Sequence, residues 1–168
     1  MKEDDVMTIF QNYPLVAAMA SIFITQVTKI PVAHFLKRPV TIALMFSSGG
    51  MPSSHSAGVT SLITAIVIDQ GWASPFTAIA ITFGVLVMFD SMGVRRQSGE
   101  HGIIINEMIQ DIQLLGRLFR VSDAELQEEL EHDEVQANVF LGHKPVEVLF
   151  GAIYGIVLSL IIFALFYS

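Results

Sequence analysis

The stretch Val148-Leu-Phe-Gly-Ala-Ile-Tyr-Gly-Ile-Val-Leu-Ser-Leu-Ile-Ile-Phe-Ala-Leu-Phe-Tyr-Ser168 contains no Asp, Glu, Lys or Arg. It has the roughly 20 residues that a helix needs to cross a hydrocarbon core. A helix on the surface of a soluble core would show a polar face recurring every third or fourth residue, and this stretch does not. Val6–Thr28 and Gln70–Phe89 are uncharged over similar lengths. Pro39–Ile68 is longer still but is interrupted by Gly49-Gly-Met-Pro52. Four such runs in one short chain predict an integral membrane protein.

Composition agrees. The chain has 168 residues, 52% hydrophobic against 15% charged, and a mean hydropathy of +0.59. That length predicts a single domain, residues 1–168. A formal charge of −7 argues against nucleic acid as a partner. With no cysteine there is no disulfide framework, thiolate chemistry or zinc–sulfur site. The acidic start, Met1-Lys-Glu-Asp-Asp5, lacks the basic region of a signal peptide.

The first helix is expected from Pro14 to about Lys29, with Gln26 and Lys29 at its far end and Ile30-Pro31 breaking or kinking it. Val40–Phe46 is too short to span and reads as a short or re-entrant helix. The second main helix is His55–Ile68, and Trp72 beyond it suits a bilayer interface. The third is Pro75–Phe89, followed by Asp90-Ser-Met-Gly-Val-Arg-Arg96. From about 99 to 142 the character changes. Ile104, Met108, Ile112 and Leu115 recur at helical spacing among polar residues, and Ser122-Asp-Ala-Glu125 fits a capping box opening a second, acidic helix. Its carboxylates read as a solvated face, not as metal ligands. The last helix starts near Pro145. The expected fold is therefore all-α, a polytopic membrane helix bundle with about four main spans and a cytoplasmic amphipathic arm.

Lys29, Lys37 and Arg38 follow the first span; Arg95, Arg96, Arg117 and Arg120 follow the third. Both connections lie on one side, which the positive-inside rule places in the cytoplasm, with Asp69 and both termini outside. His55 and His143 fall on the basic side.

The loop Phe46-Ser-Ser-Gly-Gly-Met-Pro-Ser-Ser-His-Ser56 is the chemical focus. Two glycines free the backbone for close approach to a ligand. Pro52 suits a first helical turn, and Ser53 or Ser54 a cap. A helix N-terminus beside an imidazole can hold phosphate; the plainer reading is a Gly/Ser linker with an incidental histidine. His143 and Glu147, four apart, share one helix face, so the carboxylate can fix the ring tautomer and leave the other nitrogen free to attack. Singly they also read as an interfacial cap histidine and a surface carboxylate. Phosphate ester chemistry needs charge neutralisation, a nucleophile and an acid for the leaving group. Lys29, Arg38, Arg95 and Arg96 suit the first need, and the two histidines the others.

Met51-Pro-Ser-Ser-His-Ser56 resembles the Pro-Ser-Gly-His motif of the type-2 phosphatidic acid phosphatase family. Gly49-Gly-Met-Pro-Ser-Ser-His-Ser56, Asp90-x-x-Gly-Val-Arg-Arg96 and Leu141-Gly-His-x-Pro-x-Glu-Val148 resemble its small divergent bacterial and plant branch. The resemblance implies that His143 is the nucleophile, His55 the acid for the leaving group, and Glu147 the partner of His143. It implies phosphate contacts from Lys29, Arg38, Ser53, Ser54, Arg95 and Arg96, with no metal and no cofactor. Lys29 to Arg38 is spaced two residues wider than the family's Lys-x6-Arg-Pro, and Arg95 and Arg96 lie far upstream of His143. The function so implied is a lipid phosphate phosphatase working through phosphohistidine in a bacterial plasma membrane, with its site on the cytoplasmic side. A non-catalytic lipid-phosphate binder or transporter, or a small structural membrane protein, are the competing readings. Expected partners are the bilayer and a lipid phosphate; a homo-oligomer is left open.

Overall fold

The computed structural model describes residues 8–37, 49–118 and 142–167, whose regular structure is all helical, without strands. The main helices among the described residues are α1 (Tyr13–Phe35), α2 (Ser54–Gln70), α3 (Pro75–Met92), α4 (Val94–Leu118) and α5 (Pro145–Phe166). Three stretches are long and apolar enough to cross a membrane: Tyr13–Phe35, Pro75–Leu115 and Pro145–Phe166. The second of these joins α3 and α4 through Gly93. The fourth expected span, α2, has only 17 residues. It lies at the centre, packed by α1, α3 and α5.

The starts follow local chemistry. The Asn12 side chain accepts the Leu15 N–H at 3.1 Å, with Pro14 in the first turn. Ser74 caps α3 just before Pro75, and α5 opens on Pro145. Both prolines stand where a missing N–H costs nothing.

The packing is inside out relative to a soluble protein. Large apolar residues such as Phe23, Phe83, Phe89, Leu165 and Phe166 face outward. The interior is built of alanine, glycine and hydroxyls. Lipid supplies no hydrophobic drive to bring helices together, so small residues and hydrogen bonds do it. Ser21 donates to Ser61 at 2.9 Å, Ser159 to the Ser61 carbonyl at 3.1 Å, and Tyr13 meets Ser159 Oγ at 2.9 Å. Gly151 and Gly155 let α5 close on α2. A Cβ at Gly151 would strike the Ser53 backbone, and one at Gly155 the Ala57 carbonyl and Thr60 Oγ1.

Three expectations are corrected. Pro31 does not end α1, which runs through it to Phe35. Proline removes only one intrahelical bond there, and packing of a membrane helix tolerates that loss. Lys29 is thus inside α1 and wholly buried, not at its far end. Pro52 precedes α2 instead of lying in its first turn, because Ser53 is the cap and Ser54 the first helical residue. The amphipathic helix begins at Val94, one residue after α3, since Gly93 is the only interruption. The expected short helix Val40–Phe46 and the acidic helix from Ser122 lie outside the described residues.

Candidate functional site

One end of the bundle gathers the N-termini of α2 and α5 and the later part of α1. The Ser53 N–H donates to the Glu147 carbonyl at 3.1 Å, stitching the two N-termini together. The His143 N–H donates to the Ser91 carbonyl at 3.0 Å, tying the residue before the α5 cap to the end of α3. Both helices turn their positive dipole ends and first-turn N–H groups toward this spot, an arrangement that favours an anion.

His143 is 2% exposed. Its Nδ1 lies 3.2 Å from Glu147 Oε2, and the same oxygen accepts the Lys144 N–H at 3.2 Å. A carboxylate can only accept, so it selects the tautomer with the proton on Nδ1 and the lone pair on Nε2. Nε2 is buried and has no hydrogen-bond partner among the described residues. The His55 ring stands edge-on to it, centroids 5.7 Å apart and planes at 68°.

Lys29 approaches from α1. Its ammonium is drawn electrostatically to Glu147. Gly50, at φ +96°, keeps its backbone beside the lysine stem; a Cβ there would lie 3.8 Å from Lys29 Cδ. An L side chain would be strained at that φ, which is the reason for glycine.

The remaining expected residues divide. Ser53 and Ser54 are buried at the start of α2, and Ser53 Oγ accepts the Ser56 N–H at 3.3 Å and the Ser56 hydroxyl at 3.1 Å. Arg96 pairs with Glu100 one turn along its own helix, Nε to Oε1 at 3.0 Å, in an exposed position. Arg95 lies in the first turn of α4, and Arg38 lies outside the described residues. Ser91 was missed by sequence reading, because a backbone acceptor leaves no side-chain signal. Gly151 and Gly155, four apart in an apolar run, did carry the small-xxx-small signal of close helix packing.

The fold and this site define a class: a membrane helix bundle with two histidines, a carboxylate and a lysine gathered at one end. The comparisons agree with it. The model of the "Divergent PAP2 family" matches residues 10–158, and the chain belongs to that family. A relative in Bacillus subtilis, "Uncharacterized membrane protein YuiD", is 37% identical over 158 residues, covering 93% of this chain and 97% of the relative. No solved structure matches the chain significantly. The apolar helices and the membrane-protein relative fit an integral membrane location.

Proposed function

We propose that the protein is a metal-independent lipid phosphate phosphatase acting through phosphohistidine. One observation carries the reading: His143 has Nδ1 on Glu147 and Nε2 buried without a partner beside His55. In the first step the Nε2 lone pair attacks phosphorus. The P–O bond to the lipid breaks, its electron pair goes to the leaving oxygen, and that oxygen takes a proton from His55. In the second step His55 removes a proton from water, which attacks phosphorus. The P–N bond then breaks, returning its pair to Nε2. Glu147 stays anionic throughout and holds the imidazolium-like ring. Lys29, Ser53, Ser54 and the two helix N-termini, with Arg38 and Arg95, neutralise the phosphate oxygens; Arg96 could join them only by leaving Glu100.

The test is phosphate release from purified protein in detergent, offered phosphatidate, phosphatidylglycerophosphate and polyprenyl phosphates. Release from at least one, without added metal, is expected. Tight binding with no turnover on any would replace the enzyme by a lipid-phosphate binder or transporter. The pairing of Arg96 with Glu100, which engages one expected phosphate ligand elsewhere, favours that second reading.

We also propose that the site is on the cytoplasmic face, since Lys37 and Arg38 follow α1, and Arg95, Arg96, Arg117 and Arg120 follow α3, on the same side. The chain has no cysteine, so single cysteines can be labelled from outside intact cells. Labelling near Asp69 and none near Lys144 is expected; the reverse pattern would invert the topology.

A further inference from the structure

Gln26 has no role in the chemistry above. Yet its Oε1 is buried and has no hydrogen-bond partner among the described residues. A buried carbonyl oxygen without a partner is costly, and native proteins keep few of them.

Its position follows from helix register. α1 and α2 are antiparallel: Gly50 lies beside Lys29, Gly58 beside Ile22, and Ser61 is bonded to Ser21. At that register Gln26 falls level with Ser54 and His55. The Thr28 hydroxyl lies 3.0 Å from the Tyr154 hydroxyl, so α5 is on Thr28's side of α1. Two residues are about 200° apart on a helix, which puts Gln26 on the opposite flank.

The faces of α2 complete the picture. Thr60 bonds the Ala152 carbonyl of α5 at 3.0 Å. Gly58 and Ser61 meet α1, and Ile63 meets Gly84 of α3. The sector left between α1 and α3 holds His55, Leu62 and Ile66, one above another at i, i+7 and i+11, all partly exposed. Among the described residues no helix covers this sector, which leaves an apolar furrow between α1 and α3, floored by Leu62 and Ile66 and headed by His55, with Gln26 level with that head.

We propose that Gln26 is a substrate-positioning residue that holds the polar neck of a lipid phosphate, with the hydrocarbon chain lying in the α1–α3 furrow. This rests on the lipid-phosphate reading above. A carboxamide can donate to the neck oxygens before the P–O bond breaks and accept from the new hydroxyl afterwards. The occupant is a lipid because the furrow opens to hydrocarbon and leads directly to the histidine assigned to the leaving group.

The experiment compares dioleoyl phosphatidate in nanodiscs with inorganic phosphate, read as dissociation constants for wild type and Gln26→Leu. Loss of one good hydrogen bond predicts roughly tenfold weaker phosphatidate binding and unchanged inorganic phosphate binding. Gln26→Met, isosteric and flexible, is the second variant should leucine impair folding. Phosphatidate binding unchanged, or both ligands weakened equally, would overturn the assignment. Wild-type protein that binds phosphate but not phosphatidate would overturn the role of Gln26 and leave the histidine chemistry standing. Wild-type protein that binds neither would overturn the function and this inference together.

Discussion

His143→Ala is expected to lose turnover by at least about a thousandfold, as removal of a nucleophile does in enzymes that act through one. Covalent phosphate retained by the wild type after denaturation in alkali, where a phosphoramidate survives, should vanish with it. The fold should stay, because the backbone N–H of residue 143 keeps its bond to the Ser91 carbonyl when the ring and its contact to Glu147 are removed. His55→Ala should differ in kind. A general acid is worth about 10² to 10⁴ on a poor leaving group, and much less on an activated aryl phosphate whose oxygen departs unprotonated. Glu147→Gln should bind anions and fold, yet turn over more slowly, since the amide no longer stabilises the charged ring. Wild-type rates in His143→Ala would sink the mechanism whatever the family.

The largest structural effect is expected from Gly155→Leu. Its Cβ would lie on the Ala57 carbonyl and Thr60 Oγ1, atoms of the backbone and first side-chain shell that cannot swing aside. Ordinary overpacking costs about 1–3 kcal/mol; pushing two membrane helices apart should exceed that. Because α2 and α5 also carry His55 and Glu147, phosphate binding should fail together with thermal stability. Leu160→Ala, on an outward-facing position, should leave both nearly unchanged. A wild-type melting temperature for Gly155→Leu would mean that α2 and α5 do not cross there.

Much of this was legible in the chain. Uncharged length marked the membrane helices, and prolines 75 and 145 marked the starts of α3 and α5 where they are found. The i, i+4 spacing of His143 and Glu147 anticipated their contact, but not on a shared helix face, since His143 stands before the α5 cap. Pro31 misled because breaking rules learned in water are relaxed where neighbouring helices and lipid sustain the fold. The depth of Lys29 was illegible for a related reason: its burial depends on α2 and α5, which sequence spacing along α1 does not report. Arg96 is instructive in another way. Its membrane side suggested the site, but Glu100 four residues on was an equally visible local partner, and that is the contact it makes.

The hydrogen bonds from His143 N–H to Ser91 and from Ser53 N–H to Glu147 run between main-chain atoms. Main-chain atoms are the same in every amino acid. The joining of these helix ends is therefore inherited separately from the histidine chemistry proposed for them. A descendant that exchanged its histidine for another residue would keep the two helix ends joined. Under the function proposed above, it would bind the lipid phosphate without hydrolysing it.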